Sequence, residues 1–153
     1  MSPVSVRTDI AAAPDTVWAL ISDITRMGEW SPENTGGTWK GGATGPALGA
    51  RFTGANANGK KSWTTSCTVN ACEPGRAFGF GVKAGGLRVA QWDYRIEPTD
   101  AGCSVTETWT DNRGGFVKFA GKIVSGVDER EPHNRAGMEQ TLAALKAAAE
   151  AGA

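Results

Sequence analysis

The chemistry open to this chain is narrowed first by what it lacks. Its 153 residues include one histidine, one tyrosine and three cysteines. With a single His, no G-x-S-x-G turn and no Cys near a plausible base, nucleophilic catalysis of the Ser–His or Cys–His kind is short of its parts. Cys67, Cys72 and Cys103 are odd in number and lack C-x-x-C spacing, which argues against a zinc site and for reduced thiols that pack as small hydrophobes. Charge is balanced, with 16 Lys and Arg against 16 Asp and Glu. The one basic cluster, Lys60-Lys61, is too small to neutralise a run of phosphates, so nucleic acid is not an expected partner. Gly79-Phe80-Gly81 lacks the strand–loop–helix setting of a phosphate-binding loop, and no motif asks for a metal or a cofactor. Long apolar runs are missing as well. Residues 1–7 hold no basic segment followed by an apolar core, so the expectation is a cytoplasmic protein without membrane insertion.

Against these absences stand 21 glycines and six tryptophans. The length suits one domain, residues 1–153. Six Trp in so small a core need a reason, because each indole N–H wants a partner when buried. They either fill a core or line a cavity.

Along the chain, Val4 to Ile10 alternates as a half-buried strand does. Pro14 suits a first helical position, and Val17, Leu20, Ile21 and Ile24 recur at helical spacing up to a stop near Gly28. Trp30-Ser31-Pro32-Glu33 marks a turn or a second short helix, and Trp18 covers the flank of the first. From Gly36 to Thr110 short β-branched and aromatic runs alternate with turn residues, as in a strand meander, and the glycine-rich stretch 36–49 reads as a long flexible connection. Asn58-Gly59 predicts a tight hairpin with both residues at its centre, joining strands near 50–55 and 61–72. Pro74-Gly75, Gly85-Gly86 and Thr99–Gly102 mark the later turns, which predict antiparallel neighbours. Residues 112–125, with Phe116, Val117, Phe119, Ile123 and Val124 among three glycines, fit either a short helix or a mobile apolar loop and make a lid candidate. The span from Asp128 to Ala151 is Ala-rich, and Met138, Leu142, Leu145 and Ala149 make one apolar stripe of a long helix.

Strand pleat then assigns side chains to faces. Ala90, Trp92, Tyr94 and Ile96 share one face; Trp63, Thr65, Cys67 and Val69 share another. Cys103, Val105, Glu107 and Trp109 also fall together, which makes Glu107 the misfit, a carboxylate on an apolar face. It is either salt-bridged near the open end of the sheet to Arg51 or Arg88, or it is an acid in a pocket. His133, near the start of the long helix, is either a solvent-facing residue or the second candidate for proton transfer. Beside Glu107, the expected ligand-contacting set is Trp30, Trp39, Phe52, Trp63, Phe80, Trp92, Tyr94, Trp109, Phe119 and Met138. Each has an ordinary core reading; their number on one face points to a cavity.

These residues resemble the helix-grip superfamily often called SRPBCC, which includes START lipid-transfer domains, pollen-allergen-type binders and polyketide cyclase/dehydrase-like proteins. The resemblance runs from Val4 to about Lys146. It rests on the helix 14–24, Trp30–Glu33, Glu73-Pro74-Gly75-Arg76, Trp92-x-Tyr94-x-Ile96-x-Pro98, Gly102-x-x-Val105-Thr106-Glu107, and Asn134-x-x-Gly137-Met138 with Leu142 and Leu145-Lys146. It implies an α+β helix-grip fold, a curved antiparallel sheet wrapped around a long C-terminal helix, with two short N-terminal helices. It also implies an internal cavity. Most of these motifs are structural punctuation, so no catalytic residue is carried over.

Three readings of function follow. The first is the binding or carrying of an apolar lipid, sterol or aromatic polyketide-like molecule between sheet and helix, by a monomer or homodimer. The second is a cyclase or dehydratase in which Glu107 or His133 moves a proton. The third is an interaction module, disfavoured by the scarcity of aromatics on the expected outer faces.

Overall fold

The computed structural model describes residues 3–127 and 129–152. The elements run β1 (Val4–Ile10), α1 (Pro14–Ser22), a 3-10 helix (Ile24–Glu29), β2 (Asn34–Lys40), β3 (Arg51–Asn58), β4 (Lys61–Glu73), β5 (Ala77–Ala84), β6 (Leu87–Thr99), β7 (Gly102–Asp111), α2 (Gly115–Ser125) and α3 (Arg130–Glu150). The strands form one antiparallel sheet in the order β1-β7-β6-β5-β4-β3-β2. This is the expected α+β helix-grip architecture. The meander β2 to β7 is closed at its far edge by β1, which pairs with β7 from Val4 opposite Trp109 to Ile10 opposite Cys103. Register breaks at Asn34/Gly36, Val69/Ala71 and Val82/Lys83. Such bulges bend strands and raise their twist, which is how a sheet of this width curls.

α1 begins at Pro14, where a missing N–H costs nothing, and ends at Ser22. Asp23 then caps the 3-10 helix, its carboxylate accepting from the Thr25 N–H at 3.2 Å and from the Thr25 hydroxyl at 2.5 Å. So the first helix stops short of the expected Ile24, and the second short helix precedes Trp30 instead of following it. Trp18 finds its partner outside the core, donating its indole N–H to the Ala77 carbonyl at 2.8 Å.

Two expectations need correction. The stretch 36–49 is not one long connection, because β2 occupies Asn34–Lys40. Its glycine serves close packing: a Cβ on Gly37 would lie 2.8 Å from Ile24 Cδ1, and one on Gly28 would lie 2.6 Å from the Thr35 carbonyl oxygen. The 3-10 helix and β2 can therefore touch backbone to backbone. The hairpin is shifted by one residue, since Asn58 pairs with Lys61 and the turn is Gly59-Lys60, with φ +62° at Gly59 alone. Asn58 stays in the strand and donates its side-chain amide to the Ser125 carbonyl at 2.8 Å, anchoring the end of α2.

Residues 115–125 form a short helix, not a loop. The long helix starts at Arg130, with Pro132 in its first turn; the expected start at Asp128 lies outside the described residues. Met138, Leu142, Leu145 and Ala149 are all buried, as the stripe predicts. α3 packs on β1, β7 and α1, whereas α2 packs on β4. The C-terminal end of α3 is clamped to β1: Lys146 donates to the Asp9 carbonyl at 2.8 Å, and the Ala11 N–H donates to Glu150 at 2.8 Å.

Leu142 is 2% exposed in this helix–sheet interface. Leu142→Ala is expected to cost about 2–5 kcal/mol in urea unfolding, with the denaturant slope unchanged. A loss under about 1 kcal/mol would mean the helix is not gripped as described.

Candidate functional site

Between α3, α2 and the concave face of the sheet lies a cavity of about 460 Å³. That is within the size range of small-molecule sites. Much of its lining is aromatic, because residues opposite one another on neighbouring strands share a face. Phe80 lies opposite Trp92, and Trp92 opposite Trp109. The Trp92 and Trp109 rings are 6.3 Å apart, and Phe52 meets Phe80 edge to face at 5.2 Å. The lining also carries amides and hydroxyls from β2, β3, β4 and α3, among them Asn34, Asn56, Thr65 and Asn134, with Asn56 opposite Trp63. The Asn34 amide donates to Asn56 at 3.4 Å.

Glu107 belongs to the cavity wall and is 3% exposed. It lies opposite Tyr94, whose hydroxyl donates to Oε2 at 2.8 Å; Oε1 is buried without a partner. The expected salt bridge to Arg51 or Arg88 is absent, since both arginines are exposed and neither reaches the carboxylate. Burial, opposed only by the Tyr94 hydrogen bond, pushes the Glu107 carboxyl up to about 8. Tyr94 keeps some accessible surface because it faces the cavity, yet protein encloses it. Burial, then the charge and hydrogen bond of Glu107, raise it well above the ordinary phenol value. Both groups are therefore neutral at pH 7.

His133 sits at the rim, its Nε2 3.0 Å from Glu33 Oε2, and is half-exposed. Glu33 also accepts from Arg130 at 2.6 Å; Arg130 donates to Asn134 at 3.2 Å and lies over the Trp63 ring at 5.7 Å. No hydrogen bond joins His133 to Glu107, and the two candidate proton-transfer groups have separate partners. Arg113, also on the cavity wall, is held by Asp111 in two bonds of 2.8 and 3.0 Å. Burial alone would raise the Asp111 carboxyl, but Arg113 and the nearby Lys118 hold it below the usual range.

Of the residues expected to meet a ligand, Trp30, Phe52, Trp63, Phe80, Trp92, Tyr94, Glu107, Trp109 and Met138 line the cavity. Trp39 and Phe119 do not. Trp39 packs behind Phe52 at 5.6 Å, and Phe119 is 63% exposed on the far side of α2. Ile123, 60% exposed, does not line the cavity either, whereas Phe116 does although it is 78% exposed. The expectation of few outward aromatics thus fails at α2, where an apolar surface flanks the cavity mouth. The sequence reading missed Glu33, Arg130 and Asn134 as site residues. Glu33 and Arg130 are 97 residues apart, and no local pattern joins them. Among the described residues no group of three or more His, Cys, Asp or Glu is placed to hold a metal, and no helix is long and apolar enough to cross a membrane.

The sequence matches the family model described as "Polyketide cyclase / dehydrase and lipid transport" over residues 1–150. Among solved structures, the Polyketide_cyc-like protein Cgl2372 from Corynebacterium glutamicum is 35% identical, over 94% of this chain and 88% of that one, with a TM-score of 0.64. The di-domain ARO/CYC StfQ from the steffimycin biosynthetic pathway superimposes with a TM-score of 0.75 at 18% identity, over 99% of this chain and 52% of that one. MLL2253 from Mesorhizobium loti gives 0.68 at 19% identity, over 95% of both chains. At under 25% identity the last two show the fold alone. No curated protein matches the sequence.

A raised carboxyl makes stability depend on pH with a definite sign. Below the ordinary value near 4.5, Glu107 is protonated in both folded and unfolded chains. Between there and about 8 only the unfolded chain ionises, so stability falls as pH rises; above that the loss is complete. Relative to Glu107→Gln, the wild type is expected to lose up to about 1.4 kcal/mol per pH unit through that window, read by urea unfolding at several pH values. A pH-independent difference would show an ordinarily ionised carboxylate.

Proposed function

This chain belongs to the polyketide cyclase/dehydrase and lipid transport family, and from that premise we propose that it binds and carries an apolar, ring-containing small molecule bearing oxygen substituents. The observation that carries this reading is the cavity with its mixed aromatic and amide lining. Tilted and edge-on aromatics suit flat rings, while the amides among them offer both donors and acceptors to hydroxyls or carbonyls. The amides already have partners within the protein, Asn34 on Asn56 and Arg130 on Asn134, so it is the aromatic part of the lining that, among lipid, sterol and aromatic polyketide-like ligands, favours the last. We place the protein in the cytoplasm, as one domain acting alone or as a homodimer, without cofactor.

A second reading, a cyclase or dehydratase, is supported by one observation: Glu107 is a neutral acid at the cavity wall with an oxygen free of protein partners. Such a group can protonate a carbonyl oxygen held against it, with Tyr94 supporting the carboxylate left behind. His133 has less part in this, being tied to Glu33 at the rim.

The carrier reading is tested with 1-aminoanthracene, a flat fluorescent ring compound. Saturable one-to-one binding is expected. Ala120→Trp, which places a large ring in the cavity wall from the partly exposed side of α2, is expected to weaken binding at least about tenfold, or ~1.4 kcal/mol, with the melting temperature nearly unchanged. Equal affinity in both proteins would move the binding site out of the cavity.

A further inference from the structure

The single buried side-chain oxygen among the described residues that lacks a hydrogen-bond partner is Glu107 Oε1. It belongs to a residue on the cavity wall. Resting on the carrier reading above, we propose that Glu107 is the ligand's anchor: its free oxygen donates a hydrogen bond to an uncharged acceptor, a ketone, quinone or lactone carbonyl, on the buried end of the ring compound.

The direction of that bond follows from its neighbour. With Tyr94 as the donor to Oε2, the proposal assigns the carboxyl proton to Oε1 and the carbonyl-type oxygen to Oε2. This O–H has no acceptor in the protein. A buried donor left unpaired costs about 1–3 kcal/mol, which a carbonyl oxygen offsets in the complex. The same geometry selects against charged ligand ends. The other titratable groups on the cavity wall are Tyr94, Cys67, Glu33, Arg113, Arg130 and His133. Arg130 and His133 are each bound to Glu33, and Arg113 is bound to Asp111. No cation is paired with Glu107, so an ionised carboxylate brought to it would be desolvated without compensation.

The anchor is also a pH gate. Burial sets the Glu107 carboxyl at about 8, and above that value the donor becomes an anion that repels a carbonyl oxygen. Burial raises Cys67 to about 11 and Tyr94 well above its ordinary value, so both stay neutral through the window. Any contribution from His133 is common to wild type and Glu107 variants and cancels between them.

Fluorenone and fluorene have the same ring frame and differ by a carbonyl in place of a methylene. Calorimetric titration of both into wild type, Glu107→Gln and Glu107→Leu, at pH 6.5 and 9.5, reads the proposal. Wild type is expected to prefer fluorenone at least about fivefold at pH 6.5 and to lose that preference at pH 9.5. Glu107→Gln, whose amide can accept from Tyr94 and donate to the ligand, is expected to keep the preference at both pH values; Glu107→Leu binds both compounds alike. Equal wild-type affinities at pH 6.5 would overturn the anchor and leave the carrier reading standing. Binding of neither compound would overturn both. If the variants do not fold, the two pH arms of the wild type decide.

Discussion

Everything in this molecule follows from asking one helix to cover the concave face of a seven-stranded sheet. α3 is 21 residues long and rich in alanine, and it packs at the β1–β7 edge, where its C-terminal turn is clamped by Lys146 and Glu150. Its small side chains cannot fill the space beneath β3 to β6. α2 reaches that region from β4 and narrows the gap without closing it. A sealed, empty void of this size would cost on the order of 10 kcal/mol at ~24 cal/mol per Å³, as much as the whole stability of a typical domain. The cavity escapes that cost by being open to solvent and by carrying polar groups in its lining.

The sequence made the strands and the faces of this structure legible because a pleat has a period of two. Trp92, Tyr94, Glu107 and Trp109 had to fall on one side once their strands were recognised, and the register confirms that they are cross-strand partners. The α3 stripe was legible for the corresponding reason at helical period. What escaped was contact across distance. Nothing local ties Glu33 to Arg130 or Asn58 to Ser125, and nothing in the run of glycines from 36 onward tells close packing from flexibility. Pattern also could not separate front from back within a face. Trp39 and Phe52 pair in space, yet only Phe52 reaches the cavity.

The site departs from a filled core at Glu107. A carboxylate on an apolar face invites a salt-bridge explanation from the sequence, and the structure supplies a tyrosine hydroxyl instead. A single hydrogen bond offsets part of the desolvation, and protonation offsets the rest. The outcome is a neutral acid in a wall of aromatics, a group able to recognise an oxygen without attracting a charge.

The central claim, an apolar cavity whose buried acid is neutral at physiological pH, is tested most directly by carbon-detected NMR of the glutamate side-chain carboxyls across a pH titration. The account predicts one glutamate, assigned to Glu107 by its absence in Glu107→Gln, whose carboxyl signal moves only as pH passes about 8. A Glu107 signal titrating in the ordinary range near 4.5 would contradict it, because it would place water and charge where the structure places an aromatic wall.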